Sequence, residues 1–229
     1  MIHGFYMGDP GFLLVIGAIL LGLVAQGMVS RTYSKYSRVR AASGLSGAEV
    51  ARRILDINGL SHLQVTRTGG RLSDHYDPRD GTLYLSDGVY SGRSVSAVGV
   101  AAHEAGHAVQ HAMGYRPFKL RSTLVPAANL GSQALFPLII AGFLFQMTQL
   151  FYIGAALYAA ALLFHLVTLP VEIDASRRAV RQLQVTGSVT TNDISGVRKV
   201  LGAAAMTYVA AALVAIANMA RLLLLGRRS

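Results

Sequence analysis

Residues 122–171 read STLVPAANLGSQALFPLIIAGFLFQMTQLFYIGAALYAAALLFHLVTLPV and contain no Asp, Glu, Lys or Arg. A single helix of this length would extend about 75 Å, more than twice the roughly 30 Å hydrocarbon core of a bilayer. The stretch is therefore too long for one membrane crossing and suits two, with a tight turn expected at 147–150. Because an even number of crossings returns the chain to its starting side, the residues before 122 and after 171 should face the same side.

The composition of the whole chain also indicates a membrane protein. Of its 229 residues, 52% are hydrophobic and only 14% are charged, whereas roughly a quarter of residues are charged in soluble domains. Basic residues outnumber acidic ones by 21 to 11, a balance typical of proteins that meet an anionic bilayer surface or nucleic acid. Neither a basic–aromatic cluster nor zinc-finger spacing is present in the sequence, so we expect a lipid bilayer and no nucleic acid as partner. The chain has no cysteine, so any metal must be held by His, Asp or Glu.

Two further apolar runs flank the central stretch. Residues 11–29 are uncharged and match one crossing, and four basic residues follow at once: Arg31, Lys35, Arg38 and Arg40. Residues 1–10 hold no Lys or Arg, so the basic n-region of a cleaved signal peptide is missing. Because basic residues tend to stay in the cytoplasm, the pattern predicts an uncleaved anchor with its N-terminus outside and residue 30 onward inside. Residues 202–225 form an alanine-rich fourth run. A full crossing there would place Arg227 and Arg228 outside, against the positive-inside tendency.

Residues 30–121 hold most of the charged side chains and predict a small α+β region on the cytoplasmic side. Ser46 with Glu49 three residues later is a capping box that indicates the start of a helix. Strand-like residues at 63–66 and 82–85 follow, separated by glycine- and proline-containing turn signals.

The end of this region carries a pattern of metal ligands. Residues 94–114 read SVSAVGVAAHEAGHAVQHAMG and predict a helix over 95–113, between a serine cap and a glycine stop. His103 and His107 lie about one turn apart, so both imidazoles project from one face and suit two ligands of one tetrahedral zinc. Glu104 lies about 100° around the helix, where it can take a proton from zinc-bound water without being a ligand. The alternative is a pair of histidines that only hydrogen-bond within a core.

A hydrolytic zinc site needs a third protein ligand and an open position for water. The metzincin extension is absent, because Gln110 and Met113 stand where its glycine and third histidine would be. His111 is two helical turns from His103, too far along one helix for both to bind a single ion.

Glu172 is the stronger candidate for the third ligand, because two crossings return it to the side of both histidines. Pro170 favours a helix start, which predicts a ligand-bearing helical segment over 172–199 with Glu172 in its first turn. Asp174 is the competing ligand, or a residue that orients a ligand through a hydrogen bond. For either acid, the alternative is a favourable interaction with a helix N-terminus.

Four stretches together resemble the YugP-type neutral zinc metallopeptidases of bacterial membranes, over nearly the whole chain: LSDHYDPR at 72–79, LYLS at 83–86, SVSAVGVAAHEAGHA at 94–108 and LPVEIDASRRA at 169–179. The resemblance implies that His103, His107 and Glu172 hold one zinc ion per chain and that Glu104 is the catalytic base. The chain is more loosely similar to HtpX-type membrane gluzincins, in which the ligand glutamate begins a Glu-x-x-Ala-Asp pattern. Here Ser176 stands at the aspartate position, which leaves Asp174 open as an alternative.

These residues predict zinc-assisted hydrolysis of peptide bonds in peptides or proteins, including membrane proteins, with Glu104 passing a proton from water to the leaving amine. His75, Tyr76 and Arg177 are candidates for stabilising the oxyanion or contacting the substrate. Thr82–Ser86 is a candidate edge strand that would accept an extended substrate as an added strand.

The predicted fold is a mainly α membrane protein, a helical transmembrane bundle with a small α+β zincin-like metallopeptidase domain that contains the HExxH helix. It would cross the inner membrane several times, with the active site on the cytoplasmic face. One alternative is an intramembrane site-2-type protease, but the distal Asp-Gly motif expected of it is absent from the second half of the sequence. Another is a non-catalytic scaffold with structural zinc, which would need a fourth protein ligand such as Asp174 or His111.

Overall fold

The computed structural model describes residues 10–226 and is mainly helical. Its helices are α1 (Pro10–Tyr36), α2 (Gly47–Ile57), α3 (Asp87–Tyr90), α4 (Val95–Ala112), α5 (Arg116–Leu144), α6 (Thr148–Val185) and α7 (Thr191–Gly226), and its strands are β1 (Gln64–Thr68), β2 (His75–Asp77) and β3 (Thr82–Ser86). The chain divides into two compact units. We call residues 10–25, 119–170 and 206–226 the helical unit, and residues 26–118 and 171–205 the mixed unit.

Four helices of the described part are long and apolar enough to cross a membrane: Leu13–Tyr36, Arg116–Gly142, Tyr152–Val185 and Thr191–Leu223. They overlap the four predicted apolar runs, but the helices continue into charged residues; α1, for example, ends at Tyr36 instead of 29. No residue of 30–36 is a glycine or a proline, the two residues that most strongly oppose a helix, so nothing in this stretch stops α1. The link between α5 and α6 is residues 145–147, slightly before the predicted turn. The expectations about the N-terminal nine residues and about Arg227 and Arg228 lie outside the described residues.

The prediction that a new helix begins at Pro170 is wrong, because α6 runs through this proline without a break. The residues after it form a fully buried stripe at four-residue spacing: Val171, Ala175, Ala179 and Leu183. Packing of this stripe within the mixed unit outweighs the local cost of a proline inside a helix. Glu172 consequently lies within a long helix and not at a helix N-terminus. The predicted segment 172–199 is divided between α6 and α7.

The sheet belongs to the mixed unit and has the strand order β1-β3-β2. β3 pairs in parallel with β1 along its whole length, and its first three residues, Thr82–Tyr84, pair antiparallel with β2 on the other side. The prediction that Thr82–Ser86 is an edge strand open to substrate is therefore wrong. The strand beside it, His75–Asp77, has only three residues. These residues do not alternate between apolar and polar, so no sequence signal marks a strand there.

α4 lies in the core of the mixed unit, and most of its side chains are buried. The predicted serine cap is confirmed, because Oγ of Ser94 accepts a hydrogen bond from the Ala97 amide at 3.2 Å. The helix ends at Ala112, one residue before the predicted end. Its apolar side chains pack in one cluster with residues of α2, β3, α6 and α7: Ile54, Leu55, Leu83, Leu85, Leu183 and Val197. This packing suits a helix that contains several polar side chains and is covered by protein.

α2 begins at the predicted capping box. Oγ of Ser46 accepts from the Glu49 amide at 3.3 Å, and the Ser46 amide donates to Oε2 of Glu49 at 2.6 Å. These two bonds satisfy backbone donors that the first turn of a helix leaves open.

Candidate metal centre

Three side chains from two helices of the mixed unit converge on one point. His103 and His107 come from α4 and Glu172 from α6, and one ligand atom of each lies within 4.8 Å of the others. Oε2 of Glu172 is 3.1 Å from Nε2 of His103 and 3.6 Å from Nε2 of His107. Glu172 is only 2% exposed. Within residues 10–226, no second group of three such side chains converges in this way.

The donor set fits a zinc ion. Ligand atoms about 2.0–2.2 Å from a tetrahedral zinc lie about 3.3–3.5 Å apart, and the two measured N···O distances of 3.1 and 3.6 Å bracket this spacing. A carboxylate is costly to bury unless a cation or a hydrogen-bond donor accompanies it. Three protein ligands would leave the fourth position of a tetrahedral zinc open, which is typical of catalytic rather than structural zinc sites.

Gly106, inside the HEAGH motif, allows α4 and α6 to approach closely. A Cβ atom at this position would lie 2.9 Å from the carbonyl oxygen of Ala175. Any side chain here would therefore push the two backbones apart. Because Gly106 directly precedes His107 and Ala175 follows Glu172 by three residues, this contact controls the distance between the two sources of ligands.

Gln110 holds His107 in one orientation and in one tautomer. Nε2 of the glutamine donates to the carbonyl of Val171 at 2.9 Å and to the carboxylate of Asp174 at 2.8 Å. Its Oε1 therefore faces Nδ1 of His107, at 3.0 Å. Because this oxygen can only accept, Nδ1 carries the proton, and Nε2 keeps its lone pair for a metal.

Asp174 is linked to the three converging side chains through Gln110. Its carboxylate accepts from Gln110 and also from Nε of Arg178, at 2.6 Å, and it is not part of the converging group. Its contacts thus favour the second of the two predicted roles, that of orienting a ligand through hydrogen bonds.

Ser176 contacts the other histidine, since its Oγ is 3.2 Å from Nδ1 of His103. Compared with other families, Gln110 and Ser176 stand out in the sequence as departures from the metzincin and HtpX-type patterns. A usable signal was present, because Gln110 follows His107 by three residues and Ser176 follows Glu172 by four. Side chains at these spacings lie on the same face of a helix.

The remaining predicted site residues occupy different positions. Glu104 is on α4 beside His103 and is 9% exposed. Nδ1 of His111 is 2.9 Å from the hydroxyl of Tyr76, and His111 lies outside the converging group. His75 is exposed, and its ring stacks on Tyr84 with 4.8 Å between centroids. Arg177 is exposed on α6.

Tyr76 is suited to donate a hydrogen bond. Burial raises the pKa of its hydroxyl, and the nearby carboxylates of Asp77 and Asp80 raise it further, so the group stays protonated at neutral pH. Tyr76 and His111 together line a cavity of about 460 Å³ at the sheet.

Comparison with known proteins agrees with the chemistry of this centre. The family described as "Putative neutral zinc metallopeptidase" matches residues 11–227. "Putative membrane protease YugP" of Bacillus subtilis (strain 168) is 46% identical over 212 residues, which cover 93% of this chain and 94% of that relative. No solved structure matches the chain. Since both similarities extend far beyond the metal-binding motif, the resemblance predicted from the sequence is confirmed, and the chain belongs to this family of neutral zinc metallopeptidases.

Proposed function

We propose that this protein is a membrane-embedded zinc metalloendopeptidase that hydrolyses peptide bonds in peptides or proteins, membrane proteins among them. The observation that carries the proposal is the buried convergence of His103, His107 and Glu172 directly beside Glu104 on α4. The name of the relative in Bacillus subtilis, a membrane protease, supports the same activity here.

In this proposal one zinc ion per chain is held by His103, His107 and Glu172. When bound, zinc supplies a Lewis acid that polarises the scissile carbonyl and lowers the pKa of water. Gln110 keeps the metal-binding nitrogen of His107 deprotonated, and Ser176 restrains the ring of His103. Glu104 accepts the proton of the attacking water and delivers it to the leaving amine. Its burial suits this role, because little bulk water competes for the proton.

We further propose that the chain crosses the inner membrane four times and that its active site faces the cytoplasm. Large apolar side chains along α1 are more than half exposed, among them Leu13, Leu23 and Val24. So much uncovered apolar surface suits lipid better than water. The basic residues after the first apolar run favour a cytoplasmic location for the segment that leads to α4.

The variant Glu104→Gln tests the catalytic assignment. It should keep its zinc, measured by atomic emission on protein purified in detergent, and lose cleavage of a labelled unfolded protein by about 10²–10⁴-fold. Asp56→Asn is the matched control, since it neutralises an acid on an exposed face of α2 and should cleave at the wild-type rate. Wild-type activity in the Glu104→Gln protein would show that another group is the base.

A further inference from the structure

A groove of about 490 Å³ lies between α6 and α7, within the mixed unit. Its volume falls in the roughly 300–1,000 Å³ range typical of small-molecule sites. Three arginines line it, Arg177 and Arg181 from α6 and Arg198 from α7. All three are exposed.

The charge of these arginines is not compensated within the described part of the chain. No acidic residue lines the groove, and no hydrogen bond or ion pair joins the three guanidinium groups to another of residues 10–226. Asp174, the nearby acid on α6, is bound by Arg178 and Gln110. The groove therefore favours an anionic ligand.

The other end of the groove is apolar. It is lined by Ile173 on α6 and by Leu201 and Ala205 on α7. In the sequence these residues adjoin the uncharged stretches of the two helices, which end at Val171 in α6 and begin at Val200 in α7. A ligand that fills the groove should thus combine an anionic group with an apolar part.

We propose that this groove binds an anionic phospholipid, with the phosphate against the three arginines and the acyl chains along the apolar end. Basic pockets between membrane-spanning helices bind anionic headgroups in this manner. An extended acidic peptide fits less well, because the groove is formed by helices, whose backbone groups are already bonded and offer no strand edge. The proposal rests on the membrane location proposed above but not on the protease activity.

Lipid binding to the full-length protein in detergent tests this proposal, with phosphatidylglycerol and phosphatidylcholine compared by native mass spectrometry. One arginine near an anionic surface contributes about a fivefold gain in affinity. The triple variant R177Q/R181Q/R198Q should therefore bind phosphatidylglycerol on the order of 100-fold more weakly, with phosphatidylcholine binding unchanged. Its zinc content and circular dichroism should match the wild type, which shows that the variant is folded.

A second triple variant, R67Q/R71Q/R79Q, is the matched control. It removes the same charge from exposed positions around the sheet, away from the apolar runs and outside the groove. This variant should keep its affinity for phosphatidylglycerol. Equal losses in the two triple variants would overturn the proposal, as would equal affinity of the wild type for the two lipids. A third result would also overturn the proposal. If the three arginines were needed to bind an acidic peptide but not to bind phosphatidylglycerol, the groove would be a substrate site.

The Glu104→Gln protein keeps the lipid and protease proposals separable. It should bind phosphatidylglycerol like the wild type. If the wild type binds the lipid through the three arginines but cleaves no substrate, only the protease proposal fails. If the wild type cleaves substrate but does not bind phosphatidylglycerol selectively, only the lipid proposal fails.

Discussion

Replacing Gly106 by alanine should separate the two helices that carry the proposed metal ligands. The added Cβ atom would lie 2.9 Å from the carbonyl oxygen of Ala175, whereas carbon and oxygen in close contact are about 3.3–3.6 Å apart. A backbone shift of about 0.5 Å is therefore needed. No rotamer change can supply it, because a Cβ atom and a backbone carbonyl move only with their helices.

This shift is large compared with the tolerance of a metal site, in which ligand distances vary by about 0.2 Å. Overpacking of this kind costs about 1–3 kcal/mol. Without metal the helices can move apart, but zinc binding must bring His107 and Glu172 together again. If binding carries the full cost, we expect the zinc affinity of Gly106→Ala to fall by about 5- to 150-fold.

The assay is competition for zinc with a chelator of known affinity, on protein purified in detergent. Gly99→Ala provides the control on the same helix, because its Cβ atom would lie 3.4 Å from a side-chain carbon of Val197, an ordinary contact. Replacing glycine by alanine stabilises the helix by about 1 kcal/mol in both variants. The difference in zinc affinity between the two variants therefore reports the effect of the close contact at Gly106. Equal zinc affinities in the two variants would refute a role for Gly106 in setting the ligand geometry.

Three other predictions concern the ligands, their support and the sheet. Glu172→Ala should lose most of its zinc and Asp174→Ala should retain it; the reverse result in elemental analysis would make Asp174 the third ligand. Gln110→Leu should weaken zinc binding about 10- to 100-fold, because His107 loses the partner that orients it. The control Gln182→Leu removes a hydrogen bond elsewhere on α6 and should leave zinc binding unchanged. Equal zinc affinities in the two variants would show that Gln110 does not orient His107. Asp74 accepts hydrogen bonds from Ser86, but burial raises the pKa of its carboxyl group in the folded protein. The contribution of Asp74 to the free energy of unfolding is therefore greatest below its pKa in the unfolded chain, and it declines as the pH rises through its pKa in the folded protein. Asp74→Asn should accordingly gain in melting temperature relative to wild type as pH rises from about 4, and a difference independent of pH would contradict this.

Local patterns were sufficient to predict the helices and the helix that carries two of the three converging side chains. The length of an uncharged run can be compared directly with the thickness of a bilayer. A capping box is recognised within four consecutive residues. Helical periodicity alone places His103 and His107 on one face. The structure has helices at each of these places. Glu172 was selected from chain topology, through the even number of crossings.

The details that depend on neighbours distant in sequence could not be predicted in the same way. Pro170 favours a helix start locally, yet α6 continues because the stripe that begins at Val171 packs in the core. The sequence predicts β3 as a possible edge strand. In the structure β3 also pairs with the three-residue β2, which a local pattern could not predict.

The sequence by itself determined that the chain is mainly helical, that the HExxH motif lies on a helix and which residue types could hold zinc, because charge, length and periodicity are properties of short segments. Only the tertiary structure decided how the ligands are arranged and supported. Gln110 joins His107 to Val171 and Asp174 across 61 and 64 residues, and Gly106 brings its helix against Ala175. Such contacts arise when two helices pack, and the composition of either helix alone does not specify the register in which they meet.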